Sequence, residues 1–512
     1  MRIYKDSEPY KICFHIECID IPEELLDIIK FILLDDSSEF KPNKMFLENH
    51  IEIGPRNNFK TSWNSNVLQI FKRCGIDSIE SIEYSTFYPK DIKLDIDKML
   101  FTNYDLGIEK KNEEFIKTIY VSDICEFNNK HKLGLDKHDI DYYNDIFGKL
   151  NRSPTNVELY DLSQCNSEHA RHWFFRGIFS FKGKNIEEKC LIDKLKTTLI
   201  NNDTSLISFK DNSSVIKGNL FKNFVLSKNK LILVNDFLNF SYKAETHNFP
   251  TGISPFPGAS TGVGGRIRDN IAVGVGGRLI AGTAGYCVGD IDQEYDYQLN
   301  SPRKILIEAS NGASDYGNKI GEPLIQGFTR AYRKDFEQGR IEWLKPIMFS
   351  GGMGRIFNKD SKKSEGSFGD LIVRIGGPAY NIGMGGGSAS SRSQDNANQE
   401  QDFSAVQRGD PEMANKLVRF VEQCCVIENN PIISIHDQGS GGMANVTREI
   451  SEPLGAKVFL DNLDLGDKSM NSLEKWVAEF QEQVTILIKI EDYRLVKKIA
   501  KRENVPLKVV GY

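Results

Sequence analysis

The residues best suited to chemistry lie in one stretch, from Lys243 to Asp269, with the sequence KAETHNFPTGISPFPGASTGVGGRIRD. It combines carboxylates, an imidazole and closely spaced glycines. Carboxylate oxygens are preferred ligands of Mg²⁺, and glycines let backbone N–H groups approach an anion closely. The stretch therefore predicts a glycine-rich loop that binds phosphates and a metal ion. A plain turn between two strands is the structural alternative.

A second group of ionisable residues lies in TNVELYDLSQCNSEHARHWFF, which starts at Thr155. Thr155 and Glu158 have the spacing of a capping box, so we expect a helix to begin there. If that helix continues, Glu168, His169 and His172 share one side of it and could transfer protons or bind an anion. The histidine spacing is not that of an HExxH motif, so we predict no zinc site, and a purely structural role is the alternative.

Two further stretches carry polar groups at the ends of predicted elements. An apolar strand ends at His436 and Asp437 and is followed by a glycine-rich turn and a helix, which is where α/β proteins place ligand groups. Asp410 and the proline after it have the pattern of a helix start. Capping accounts for Asp410, but it does not account for Gln407 just before it.

Composition limits the class of protein. The chain has 512 residues and a formal net charge of −6, which argues against nucleic-acid binding through a basic surface. No apolar run approaches the roughly 18 to 20 residues of a membrane helix. The nine cysteines are scattered without a CxxC pair, as in reduced cytosolic proteins. We therefore predict a soluble cytoplasmic protein that contacts neither nucleic acid nor membrane.

The elements around these stretches indicate an α+β protein of several domains. Residues 1–130 have a β-α-β-β-α-β kind of pattern, and the following segment to about residue 204 is polar and helical. Glycine-rich strands and helices follow, and the chain ends as strand, helix and strand. Because it ends on a strand at Tyr512, we expect further polypeptide or a partner beyond it.

Six ordered motifs carry a resemblance to a known family. They are NSEHARHWFF, the stretch from Lys243 to Asp269, EASNGASDYGNKIGEP, GGPAYNIGMGGGSASS, SAVQRGDPEM and IHDQGSGG. In order and approximate spacing they resemble the large phosphoribosylformylglycinamidine synthases of purine biosynthesis. The segment PRNNFKTSWNSNVLQIFKRCGI also resembles the first domain of that family, which is similar to the small separate subunit of the split bacterial enzymes.

The resemblance implies both a fold and a reaction. The expected domains are a ferredoxin-like domain at residues 1–130, a helical linker at 131–204, and an A domain at 205–368 and a B domain at 369–512 that resemble aminoimidazole ribonucleotide synthetase. The implied reaction is the amidation of formylglycinamide ribonucleotide. ATP and Mg²⁺ activate the amide oxygen by phosphorylation, and ammonia from a glutaminase then displaces phosphate.

The family's site residues carry over to matching positions in this chain. His169 and His247 match catalytic imidazoles, and Glu245, Asp269 and Asp437 match metal ligands. Gln407, His247 and Asp437 match substrate-binding groups. The implied nucleotide contacts are Gly258, Ala259, Thr261, Gly262, Gly264, Gly265, Arg268, Asp269, Gln326, Gly327 and Phe328.

The chain departs from the family pattern at three places. Phe249 replaces a second histidine, Ala170 replaces a cysteine, and Glu479 to Gln483 replace an ESQER motif with EFQEQ. The family's second A/B half and its glutaminase domain are not in this sequence, and no cysteine lies in a GxCxG nucleophile elbow. We therefore expect a C-terminal synthase half or a second copy of the chain as partner.

Two alternatives remain open at this point. One is a catalytically incomplete subunit that binds nucleotide for structural reasons. The other is a different ATP-dependent enzyme of the same superfamily, such as aminoimidazole ribonucleotide synthetase or selenophosphate synthetase, although the N-terminal domain and the SEH motif argue against it.

Overall fold

The computed structural model separates the chain into two compact units. One contains Met1–Phe115 with Gly466–Ser469, and the other contains Ile116–Leu465 with Met470–Tyr512. The structure describes residues 2–6, 10–18, 23–34, 49–56, 60–92, 94, 96, 100–104, 118–167, 171–185, 189–293, 300–391, 402, 405–407, 409–467, 470–480 and 482–512.

The first unit is an antiparallel sheet with two helices on one face. Its strands are ordered β1-β2-β4-β3-β5. Apolar residues of the helices pack with alternate strand residues such as Phe14 and Ile82, which is the half-buried pattern expected of such a sheet. The predicted mixture of strands and helices is present, but among the described residues their order is β-β-α-β-α-β-β and not the predicted β-α-β-β-α-β. The bounds are β1 Arg2–Asp6, β2 Lys11–Cys18, α1 Glu23–Leu33, β3 His50–Pro55, α2 Ser62–Arg73, β4 Ile79–Pro89 and β5 Phe101–Tyr104.

The second unit begins with helices and a small hairpin. Their bounds are α3 Ile124–His131, α4 Lys137–Lys149, α5 Asn156–Asn166, α6 Trp173–Arg176, β6 Ser180–Phe181, β7 Lys184–Asn185 and α7 Leu191–Thr197.

The predicted capping box is confirmed, but the helix that begins there does not continue to His172. Thr155 and Glu158 cap each other's backbone N–H groups at the start of α5. The helix ends at Asn166, and Ser167 has extended backbone angles. His172 has a φ of 54° and precedes the short helix α6, so it does not belong to α5.

A six-stranded sheet with the order β12-β11-β15-β10-β9-β8 forms the middle of this unit. Its strands are β8 Ser205–Ile207, β9 Ser214–Ser227, β10 Lys230–Thr246, β11 Arg278–Val288, β12 Leu324–Ala331 and β15 Ile347–Phe357, and the hairpin β13 Arg333–Phe336 with β14 Gly339–Glu342 lies between the last two in sequence. The adjacent helices are α8 Asn248–Ile253, α9 Pro255–Ile271 and α10 Pro302–Ile320. Ala284 and Tyr286 of β11 pack against apolar residues of α9 and α10, so these helices cover one face of the sheet.

The glycine-rich segment is a buried helix and not the predicted loop. All of Gly258 to Asp269 lies within α9, and its side chains are buried. The glycines permit close packing: a Cβ at Gly262 would lie 2.9 Å from the sulfur of Met348, and one at Gly258 would collide with the backbone of Pro250. Tertiary packing therefore outweighs the low helix propensity of glycine here.

The C-terminal part is a four-stranded sheet between two helix layers, with the order β17-β18-β16-β19. One apolar cluster includes Phe420 and Ile499. A second cluster, which involves different helices, includes Met443 and Ala478. The predicted strand, turn and helix after His436, the Asp410 cap and the terminal strand-helix-strand are confirmed. The bounds are β16 Leu371–Gly376, α11 Gly386–Ser391, α12 Pro411–Cys425, β17 Ile432–Asp437, α13 Gly442–Ser451, α14 Ser472–Val477, β18 Gln483–Ile488, α15 Tyr493–Glu503 and β19 Leu507–Gly511.

None of the helices in the described part of the chain is both long enough and apolar enough to cross a membrane.

Candidate active site

A cluster of charged side chains lies between β10 and α9. Lys243 and Glu245 alternate along β10 and point to the same side of the sheet. The Nζ atom of Lys243 lies 2.8 Å from Oδ2 of Asp269 on α9 and 3.5 Å from Oε2 of Glu245. Nε2 of His247 lies 3.2 Å from Oε1 of Glu245. The structure therefore brings together Glu245, His247 and Asp269, as the sequence predicted.

The two carboxylates of this cluster have opposite pKa shifts. Burial tends to raise the pKa of Glu245, but the hydrogen bond and charge of His247, with the charge of Lys243, lower it to about 2. Burial raises the pKa of Asp269 well above its usual value, and the charges of Asp437 and Glu245 raise it further. The charge and hydrogen bond of Lys243 oppose these shifts, and a bound cation would further stabilise the charged form of Asp269.

Asp437 joins the cluster from the end of β17, about 170 residues further along the chain. Its Oδ2 lies 4.0 Å from Nε of Arg268, and its Oδ1 accepts a hydrogen bond of 3.1 Å from Asn212 Nδ2. The Nε–H of Arg268 has no hydrogen-bond acceptor among the described residues. The three predicted metal ligands Glu245, Asp269 and Asp437 are therefore parts of one electrostatic group.

A buried ion pair extends the cluster to the EFQEQ stretch. Arg268 Nη1 donates to Oε1 of Glu482 at 3.2 Å, and the hydroxyl of Tyr316 donates to the same oxygen at 2.7 Å. Burial raises the pKa of Glu482 to about 7, although Arg268 opposes the shift. Glu482 therefore fixes the guanidinium of Arg268 on the side away from Asp437.

Gln407 is held by the other glutamate of the EFQEQ stretch. Its side-chain amide donates a hydrogen bond to Oε2 of Glu479, and its backbone carbonyl accepts one of 3.4 Å from the hydroxyl of Thr261 on α9. Burial raises the pKa of Glu479 to about 7, and the hydrogen bond from Gln407 opposes the shift. Thr261 thus contacts a predicted substrate-binding residue directly.

His247 has one ring nitrogen free for a ligand. Its Nε2 contacts Glu245, whereas its Nδ1 is buried without a hydrogen-bond partner in the part of the chain that the structure describes. A buried polar atom without a partner is costly in a folded protein and often marks a ligand position. Its neighbour Phe249 is 2% exposed and packs with Ala389 and Ala405, so the residue that replaces the family's histidine belongs to an apolar cluster.

The predicted nucleotide contacts on α9 support the cluster from within the helix. Gly265 leaves room for the carboxylate of Glu245, and Gly264 leaves room for the side chains of Tyr316 and Arg268. Ala259 packs in the apolar core. These positions therefore hold the charged side chains in place, and any contact of theirs with nucleotide stays a prediction.

Gln326, Gly327 and Phe328 lie apart from the cluster. Gly327 on β12 is separated from Glu245 on β10 by β11 and β15, which is about 14 Å at the usual strand spacing. The ring of Phe328 covers Gly285 and lies 5.8 Å from the ring of Phe349. The structure does not bring these three residues to the other predicted site residues.

Sequence reasoning missed several members of the cluster, and His169 lies outside the described residues. Lys243 belongs to the first motif but was given no role. Glu479 and Glu482 had one signal, their similarity to the ESQER motif. Tyr316 belongs to the motif EASNGASDYGNKIGEP but was given no role. Asn212 is an ordinary polar residue whose contact depends on the tertiary fold, so no local pattern indicated it.

Comparison with known proteins identifies related sequences for two segments and for most of the chain. Residues 368–512 match the family described as AIR synthase related protein, C-terminal domain. Residues 124–172 match the formylglycinamide ribonucleotide amidotransferase linker domain. Phosphoribosylformylglycinamidine synthase of Dictyostelium discoideum is 44% identical over 93% of this chain, and the Homo sapiens protein of that name is 37% identical over 90%.

This chain is similar to the phosphoribosylformylglycinamidine synthases. It spans 38% of the length of the Dictyostelium and human proteins. The Arabidopsis thaliana relative, 41% identical over 96% of this chain, is named as a probable chloroplastic/mitochondrial form. Among solved structures, T. maritima PurL complexed with FGAR matches with a TM-score of 0.52 and 25% identity, covering 72% of this chain and 51% of that one. The predicted fold class and family resemblance are confirmed.

Proposed function

We propose that this chain supplies a synthetase site for the ATP-dependent amidation of formylglycinamide ribonucleotide. The observation that carries the proposal is the group of Glu245, Asp269 and Asp437 with Lys243 and Arg268, in a chain similar to the synthases. Their oxygens are the hard ligands that Mg²⁺ takes, and burial and two neighbouring acids disfavour the charged form of Asp269 in the absence of a cation. The three acids are not among the groups of described residues whose ligand atoms all lie within 4.8 Å of one another, so binding one ion would require them to move closer together. When bound, Mg²⁺ would neutralise charge on the nucleotide phosphates.

The side chains of this chain would position the reactants. Lys243 holds Asp269 through a contact of 2.8 Å, and Arg268 presents positive charge 4.0 Å from Asp437. Nε2 of His247 donates to the carboxylate of Glu245, so in the neutral imidazole Nδ1 is an acceptor and would bind an N–H or O–H group of the substrate. Gln407, held by Glu479, provides a further polar group for the ribonucleotide.

Ammonia would come from a glutaminase, and two of the thiols in this chain are poorly suited to that reaction. Burial raises the pKa of Cys13 to about 12 and that of Cys425 well above its usual value. Buried thiols of this kind are poor nucleophiles, because the thiolate is the reactive form. All nine cysteines are free, which agrees with the proposed cytoplasmic location.

The partner that we propose is a second synthetase half, corresponding to part of the length that the relatives have beyond this chain. Strands β9, β10 and β12 expose large apolar side chains, including Phe224, Leu231 and Phe328. Exposed apolar surface of this extent is typical of a binding interface. Replacing Phe224 and Leu231 with serine should weaken association with that half, whereas replacing the exposed Phe368 should not; self-association in sedimentation runs would favour a homodimer instead.

The test of the proposed function is substrate-dependent phosphate release. The purified chain receives MgATP, an ammonium salt and formylglycinamide ribonucleotide, alone and with the remaining part of a full-length relative. We expect turnover with the added part, and His169→Ala should remove it while nucleotide binding persists. Nucleotide binding without turnover in every mixture would favour the structural subunit, a reading that the buried Phe249 supports. The absence of both nucleotide binding and turnover would refute the proposal.

A further inference from the structure

The first unit contains a second group of metal-ligating side chains. Cys13 and His15 alternate along β2, so they point to the same face of the sheet. The intervening Phe14 belongs to the core under α1 and α2, which places Cys13 and His15 on the opposite face. Strand β4 pairs with both β2 and β3, and Glu52 of β3 reaches the same group.

The polar atoms of this group lie close together and are buried. Ligand atoms of Cys13, His15 and Glu52 all lie within 4.8 Å of one another. Nε2 of His15 lies 3.2 Å from Oε1 of Glu52 and 2.8 Å from Oγ of Ser85, and Ser85 donates to Oε1 of Glu52 at 2.5 Å. The side chains of His15 and Glu52 are 10% and 5% exposed, and Cys13 is fully buried.

A hydrolytic triad does not explain the arrangement. In a Ser-His-acid triad, serine and carboxylate bind different ring nitrogens, so that the imidazole can transfer a proton between them. Here Ser85 and Glu52 both approach Nε2 of His15. The serine also donates its proton to the carboxylate, so His15 does not activate it.

We propose that Cys13, His15 and Glu52 form a site for a divalent transition-metal ion of the Zn²⁺ class. Thiolate, imidazole and carboxylate are the ligands that Zn²⁺ takes in proteins, usually in a tetrahedron. The 3.2 Å between His15 and Glu52 is close to the edge of such a tetrahedron, about 3.4 Å for bonds of about 2.1 Å. Ser85 would orient the carboxylate. The ion would connect β2 with β3, a role independent of the proposed synthetase chemistry.

A cation would compensate the charge of the Glu52 carboxylate and would replace the thiol proton of Cys13. The charged side chain of Arg2 lies near both groups. The hydroxyl of Tyr104, the register partner of Glu52 on β5, is buried without a hydrogen bond among the described residues.

The test is titration of the metal-free full-length chain with Co²⁺ in excess Mg²⁺, which keeps Co²⁺ from the hard carboxylate sites. We expect about one equivalent to bind with a near-ultraviolet thiolate charge-transfer band, and Zn²⁺ to displace it. Cys13→Ser should remove the band, and Glu52→Gln should weaken binding at least about tenfold. Cys74→Ser, which changes an exposed thiol, should behave like the wild type.

Two outcomes would overturn the proposal. One is a wild-type chain that gives no thiolate band; the other is a band that persists unchanged in Cys13→Ser. If Cys13→Ser does not fold by circular dichroism, the affinity of Glu52→Gln decides, because an unchanged Co²⁺ affinity in that variant contradicts the ligand set. ATP binding serves as an independent readout, and we expect it to be unchanged in Glu52→Gln.

Discussion

Gly265→Ala tests the packing of the glycine-rich helix against the charged cluster. Alanine is favoured over glycine inside a helix by about 1 kcal/mol. At this position, however, the new Cβ would collide with Oε1 of Glu245 and lie 3.4 Å from Nε2 of His247. Overpacking costs about 1–3 kcal/mol. We therefore expect a net loss of about 0–2 kcal/mol in stability, with the Glu245 carboxylate displaced from His247.

The matched control is Gly148→Ala in α4, where a Cβ meets no atom within 4 Å. It should stabilise the protein by up to about 1 kcal/mol, measured by urea unfolding. In calorimetric titration, Gly265→Ala should bind MgATP about tenfold or more weakly, because a ligand carboxylate has moved. If Gly265→Ala is stabilised like the control and binds MgATP normally, Glu245 does not contact α9 as described.

Three other changes probe the surroundings of the cluster. The pKa of Glu479 is raised from 4.5 to about 7 in the folded protein, so over this range the folded state keeps a proton that the unfolded state has lost. Stability should therefore fall as pH rises from about 4.5 to about 7. In urea unfolding, Glu479→Gln should flatten this dependence of stability on pH. An unchanged slope would contradict the burial of this carboxyl. Tyr316→Phe removes the hydroxyl that donates to Glu482 and should lower the free energy of unfolding by about 1–3 kcal/mol. Tyr142→Phe, at an exposed position, should change it little. Equal effects of the two substitutions would refute the buried hydrogen bond. Phe249→His places an imidazole in an apolar cluster and should lower the melting temperature, and an unchanged temperature would show that the site accepts a polar ring.

Local signals predicted the elements that depend on local chemistry. The Thr155 cap, the Asp410 cap and the strand before His436 rest on a few neighbouring residues, and all three are present. The prediction of a loop for the glycine-rich segment was wrong because the conformation of this segment depends on contacts outside it. Gly262 contacts Met348, a residue that no helix-propensity argument about α9 includes.

The acidic residues of the candidate site could be predicted from the sequence, but their contacts with distant residues could not. Glu245 and Asp269 follow from one motif, and Asp437 follows from its place at a strand end. The link from Arg268 to Glu482 joins residues 214 positions apart, so only the tertiary fold reveals it. For the same reason the position of Gln326 on β12, away from the cluster, could not be derived from its spacing in the sequence.

The central claim is that the carboxylates around Lys243 bind a magnesium nucleotide. Its most direct test is calorimetric titration of MgATP into the wild-type chain, Asp269→Asn, Asp437→Asn and the control Asp145→Asn, which changes an exposed acid on α4. We predict Mg²⁺-dependent binding to the wild type and the control, and an affinity at least about tenfold lower in the other two variants. Wild-type affinity in both Asp269→Asn and Asp437→Asn would contradict the claim.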